Sequence, residues 1–182
     1  AGLAGEPPYL VVDIGGGSTE FVTGSTGVER AISMDIGCVR MTERHLHSDP
    51  PTPAEIAAAE QDITAAVDAA LAAVPGRAAA TLVGLAGTVT TVTALALGLP
   101  TYDAGRIHHA EVSKAEVARV TADLLGMTVA ERLALPVMHP GRADVIGAGA
   151  LILRIILERS GQSSVVASEH DILDGIAYSQ AR

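Results

Sequence analysis

The chain has 182 residues, 48% of them hydrophobic, which suits one domain with a full core and argues against disorder. Only four residues are aromatic, three Tyr and one Phe, which argues against a stacking platform for single-stranded nucleic acid. With 21 acidic residues against 12 basic ones the formal charge is −9, so the mean field repels polyanions and no nucleic-acid partner is expected.

The single cysteine, Cys38, excludes a disulfide framework or a multi-thiolate zinc site. The longest apolar run, residues 145–153, is too short to span a bilayer, so no membrane partner is expected. The first ten residues carry no Lys or Arg and no apolar core, so they do not read as a signal peptide; a cytoplasmic protein is expected. The missing initial Met is expected to mark a processed chain or a piece of a longer one.

Strands are predicted over residues 9–14, 20–23 and 28–34, with Gly24-Ser-Thr-Gly27 as the hairpin turn between the last two. A helix follows over 39–46, then the breaker Asp49–Pro53. Thr52, a proline at the first helical position and Glu55 form a capping signature for a helix over 53–74. A fourth strand over 81–86 leads through Gly87-Thr88 into a helix over 89–97, and 98–109 reads as a loop. Ser113 and Glu116 cap a helix over 114–125; helices over 128–135 and 143–159, a strand over 164–167 and a helix over 171–180 complete the chain. Three meandering strands followed by alternating helices and strands predict one α/β domain, residues 1–182, with a mixed sheet.

The chemistry concentrates in Asp13-Ile-Gly-Gly-Gly-Ser-Thr-Glu20. Three consecutive glycines at a strand end permit positive φ, close backbone approach and converging N–H groups, an anion nest built from Gly15, Gly16 and Gly17. Ser18 and Thr19 add hydroxyls, and the carboxylates of Asp13 and Glu20 on either side suit one Mg²⁺ and one activated water. The competing reading is a glycine-rich hairpin turn with solvated carboxylates. A second strand-to-helix turn, Gly84-Leu-Ala-Gly-Thr88, exposes a helix N-terminus that favours an anion. Arg142 is either a phosphate clamp or the partner of Asp144 in an ion pair at a helix start. Gly147-Ala-Gly149, inside an apolar helix, reads as close helix packing. The six histidines show no metal-ligand spacing and are read as non-ligands, with a substrate-side role kept open for His108. Cys38 reads as a small buried hydrophobe.

VVDIGGGSTEFV (residues 11–22) resembles the second phosphate motif of the exopolyphosphatase / guanosine pentaphosphate phosphohydrolase family, within the actin, sugar kinase and heat-shock ATPase superfamily. The likeness continues through SMDIGCVRMTERHL, DPPTPAEI, LVGLAGTVTTV, RADVIGAGALIL and SEHDILDGIA, in order along nearly the whole chain. The resemblance implies a ribonuclease-H-like (actin-like ATPase) domain with a five-stranded mixed sheet flanked by helices. It implies that this domain is the C-terminal half of a two-domain bacterial hydrolase that releases terminal phosphate from polyphosphate or guanosine pentaphosphate. By the same resemblance Asp13 and Glu20 would handle Mg²⁺ (or another divalent cation) and the attacking water. Gly15, Gly16 and Ser18 would form the phosphate loop, Arg142 would be the family's arginine, and Gly84, Gly87 and Thr88 its Gly-x-x-Gly-Thr segment. The family's first phosphate motif and catalytic glutamate lie in the N-terminal domain, so this chain alone is expected to be inactive. A basic track for a long polyanion is expected on that domain or across a homodimer. Two other functions stand beside hydrolysis: a non-catalytic sensor of guanosine penta- or tetraphosphate, and a kinase or ATPase of the same superfamily.

Overall fold

The computed structural model describes residues 5–169. Three strands, β1 (Tyr9–Ile14), β2 (Thr19–Gly24) and β3 (Val28–Met34), precede helices α1 (Cys38–His45) and α2 (Pro53–Ala73). They are followed by β4 (Thr81–Leu85), α3 (Ala86–Ala96), α4 (Ala104–Ile107) and β5 (Glu111–Ser113), then α5 (Lys114–Gly126), α6 (Val129–Leu133), α7 (Ile146–Ser160) and β6 (Ser164–Ala167). The sheet runs β3-β2-β1-β4-β6-β5. β1, β4 and β6 are parallel and the other pairings antiparallel.

Among the described residues the sheet therefore has six strands, not the five expected. The additional one, β5, has three residues and pairs antiparallel with β6 at an edge. The predicted loop 98–109 also contains α4, started by Asp103, whose carboxylate accepts from the N–H groups of Gly105 and Arg106. The helix predicted over 143–159 begins at Ile146, after a 3-10 turn over Pro140–Arg142. The final helix predicted over 171–180 lies outside the described residues.

Alternation along the strands sets two unlike faces. Leu10, Val12, Ile14 and Phe21 are buried and meet the helical layer, whose centre is α7. From Ile146 to Leu157 α7 is buried except at Arg154, which pairs with Glu60 and Glu158. Its glycines serve packing as expected: a Cβ at Gly149 would lie 2.7 Å from Thr88 Oγ1, and one at Gly147 would lie 3.2 Å from Leu125 Cδ2. The alternate positions of β1 and β2, including Asp13 and Glu20, occupy the opposite, half-buried face. The capping boxes of α2 and α5 form as the sequence indicates, on Thr52/Glu55 and Ser113/Glu116. Among the described residues no helix is long and apolar enough to cross a membrane.

Candidate functional site

Between β1 and β2 the chain turns back tightly, Gly15 N–H donating to Ser18 O over 3.0 Å. The carbonyls of this turn face the start of α1. Cys38 N–H donates to Gly15 O (2.9 Å), Val39 and Arg40 N–H to Gly16 O (2.9 and 3.1 Å), and Arg40 Nε to Gly17 O (2.7 Å). The first turn of α1, whose N-cap Gly37 offers no side chain, thus finds its acceptors in the loop. This contact needs Gly37: a Cβ there would fall 2.6 Å from the Gly17 carbonyl carbon and nearer still to Gly16.

None of Gly15, Gly16 and Gly17 takes positive φ; among the described residues the positive-φ glycines are Gly5, Gly98 and Gly161. The positive φ that the three glycines permit is therefore not used in this loop. Docking on α1 orients it instead, and the N–H groups of Gly16, Gly17 and Ser18 make no hydrogen bond with the described residues. Three successive backbone donors beside a strand end suit an anion by their chemistry.

Strand register brings the two carboxylates together. Asp13 stands directly opposite Glu20, and Glu20 opposite Ser33, in one row across β1, β2 and β3. Such opposed residues have Cβ atoms about 5 Å apart on one face. Ser18 Oγ and Ser33 Oγ both donate to Glu20 Oε1, at 2.6 and 2.7 Å, fixing that carboxylate. Ser33 was not singled out from sequence; only the β2–β3 register reveals it. Thr19 differs from expectation. It is fully buried and its hydroxyl donates to Ile36 O, so it anchors the strand and does not offer its hydroxyl to a ligand.

The neighbouring parallel strand ends beside this loop, Asp13 pairing with Leu85. The strand order reverses here, where open α/β sheets bind ligands. Gly84 packs closely on α3, a Cβ there meeting Val89 Cγ1 at 2.8 Å. Ala86 is held at φ 68°, a left-handed conformation that costs a non-glycine residue about 1 kcal/mol or more. Leu85 gives α3 no side-chain cap, so its first N–H groups and dipole are presented uncapped. The Arg142 guanidinium lies against Gly87, where a Cβ would come within 2.5 Å of Nε, and Nη1 donates to Thr91 Oγ1 over 3.3 Å. The alternative ion pair between Arg142 and Asp144 does not form among the described residues. Thr88 is only 5% exposed, its hydroxyl packed against Gly149 and hydrogen-bonded with the Cys38 thiol; any contact with a ligand falls to its backbone.

Cys38 thus links the two loops, through its N–H to Gly15 and its thiol to Thr88. Burial pushes the thiol pKa up, which suits a packing role and not a nucleophile. Tyr102 completes the rim near Thr90 and Arg142, its hydroxyl donating to Glu169 Oε1 over 2.7 Å. Burial first, and then Glu169, push its pKa up. His108 Nδ1 accepts from Glu169 N–H (3.3 Å) and its ring packs on His109 at 3.7 Å between centroids, contacts that order the loop.

Among the described residues no three His, Cys, Asp or Glu are grouped as a metal cage. Asp13 and Glu20 give two carboxylates on one face, a donor set that fits Mg²⁺, which commonly takes one or two carboxylates and completes its shell with water and substrate phosphate.

The sequence profile of the Ppx/GppA phosphatase family matches residues 2–182. Exopolyphosphatase 2 of Mycobacterium tuberculosis is 52% identical over 184 aligned residues, covering 99% of this chain and 57% of that protein. Among solved structures, an exopolyphosphatase-like protein superposes with TM-score 0.93 at 44% identity, over 97% of this chain and 60% of that one. The Ppx/GppA phosphatase of Aquifex aeolicus, in its type II variant, gives TM-score 0.90 at 29% identity, over 99% and 59%. This chain thus spans just under three-fifths of the M. tuberculosis relative's length.

Proposed function

This chain belongs to the Ppx/GppA phosphatase family, and from that premise we propose that the protein carrying it is an exopolyphosphatase-type hydrolase releasing terminal orthophosphate. Inorganic polyphosphate is the favoured substrate, with guanosine pentaphosphate the second. The observation that carries this reading is the row Asp13–Glu20–Ser33 beside the N–H groups of Gly16, Gly17 and Ser18, which make no hydrogen bond among the described residues.

The terminal phosphoryl oxygens take hydrogen bonds from those N–H groups, whose positions are fixed before substrate arrives because α1 holds the loop. Glu20, steadied by Ser18 and Ser33, orients the attacking water through its carboxylate. Water oxygen bonds to phosphorus as the bridging P–O bond breaks, and the shortened chain leaves with the bridging oxygen. Arg142 and the uncapped start of α3 stabilise charge on the transferring group and the leaving oxygen. A divalent cation held by Asp13 and Glu20 would neutralise phosphate charge. No protein nucleophile is needed, in keeping with the packed Cys38.

The chain alone presents one wall of this site, and we propose that it is inactive without a further domain supplying the opposing wall, the general base and a basic track. Phosphate release from polyphosphate and from guanosine pentaphosphate by the full-length protein, with Glu20→Ala as control, tests the reading. Metal-dependent release lost in Glu20→Ala is expected; nucleotide binding with no release from either substrate would overturn it in favour of a sensor.

A further inference from the structure

The most unusual side chain outside the site is Arg132 on α6, 3% exposed. Its Nε donates to Leu124 O over 2.8 Å and its Nη1 to Ala143 O over 3.2 Å. Nη2 has no acceptor, and no carboxylate lies within ion-pair distance among the described residues; Asp49 and Asp144 act on it only from farther away. A buried cation without a counter-charge is costly, and an apolar side chain of similar size would fill the space more cheaply. The carbonyl of Leu124, in the last turn of α5, offsets part of that cost through the negative end of the helix dipole.

The two bonds identify what the cost supports. Arg132 ties three segments: the end of α5, residue 143 immediately after Arg142, and the start of α7, where a Cβ at Gly147 would lie 3.7 Å from Nη2. Holding Ala143 O fixes the Ala143–Asp144 peptide, one residue beyond Arg142, while the Arg142 guanidinium sits against Gly87 with no room for even one methyl group. We infer that Arg132 is a positioning residue for Arg142, setting the clamp over the start of α3 from beneath the surface. The inference rests on the reading of Arg142 as a phosphate ligand.

A double-mutant cycle with Arg132→Met and Arg142→Ala in the full-length protein tests it, read by kcat and KM on polyphosphate and by the Nε–H NMR signal of Arg142. Arg132→Met is expected to lower kcat/KM about tenfold alone and under about twofold beside Arg142→Ala, and to shift the Arg142 signal. Arg132→Lys, which can reach one carbonyl but not both, is expected to recover part of the loss. Equal losses in both backgrounds with an unmoved Arg142 signal would overturn the inference. Should Arg132→Met fail to fold, Arg132→Lys carries the same cycle, and failure of both to fold would assign Arg132 to stability alone and overturn it too. If the wild-type protein releases no phosphate, the functional reading fails separately, and the Arg142 signal still decides the positioning role.

Discussion

Gly87→Ala separates activity from stability at the centre of the site. A Cβ at Gly87 would sit 2.5 Å from Arg142 Nε and nearer still to Cζ and Nη2. Ordinary contact needs about 3.5 Å, so the guanidinium must retreat by about 1 Å. The backbone accepts alanine, because Gly87 is not among the positive-φ glycines. The end of a long, half-buried arginine moves at little cost, and alanine is favoured over glycine in a helix by up to about 1 kcal/mol. The expected melting temperature is therefore unchanged or raised by about 2–4 °C. A misplacement of about 1 Å in a charged clamp costs on the order of 10²-fold in rate, so kcat/KM should fall towards that of Arg142→Ala. Thermal melting and phosphate release on the same preparations decide it. Wild-type kcat/KM in a stable Gly87→Ala protein would refute the role given to Arg142, and a large drop in melting temperature would refute the packing logic.

Gly37→Ala presents the opposite case, since its Cβ would strike the Gly16 and Gly17 backbone; a loss of more than about 2 kcal/mol in denaturant unfolding is expected, together with loss of activity. Glu20→Gln can still accept from Ser18 and Ser33, so melting should barely change while turnover falls about 10²–10⁴-fold; turnover within threefold of wild type would remove Glu20 from the chemistry. The capping box of α2 sets a pH dependence: Glu55 is lowered from 4.5 to about 2, chiefly by the Thr52 N–H. Its contribution is complete above pH 4.5 and is lost as pH falls through about 2, so wild type and Glu55→Gln should differ in stability above pH 4.5 and converge towards pH 2.

What was legible in the sequence follows the range of the forces involved. β1, β3 and β6 appear at their predicted limits because alternation or short apolar runs are local signals. The boxes on Thr52/Glu55 and Ser113/Glu116 close within three residues. β5 was not legible, because a three-residue edge strand with Glu111 exposed exists only through its pairing with β6, some fifty residues on. Thr19 follows from parity: β2 begins at Thr19, and if Phe21 faces the core then Thr19 must too, leaving Glu20 on the other face. Arg142 could be suspected as a phosphate ligand, but its seat on Gly87 is a long-range contact that no local pattern encodes. The glycine run is legible as a turn between two strands, but its docking on α1 is not, since the acceptor pattern depends on Gly37 lying against Gly16.

The most direct test of the phosphate site is the backbone amide NMR spectrum of the ¹⁵N-labelled protein titrated with tripolyphosphate and Mg²⁺. The amides of Gly16, Gly17 and Ser18 should shift first and furthest, with Gly87 moving alongside them, and these shifts should weaken in Arg142→Ala. Saturating tripolyphosphate that leaves these amides unmoved, or moves another surface instead, would contradict the assignment of this loop as the seat of the terminal phosphate.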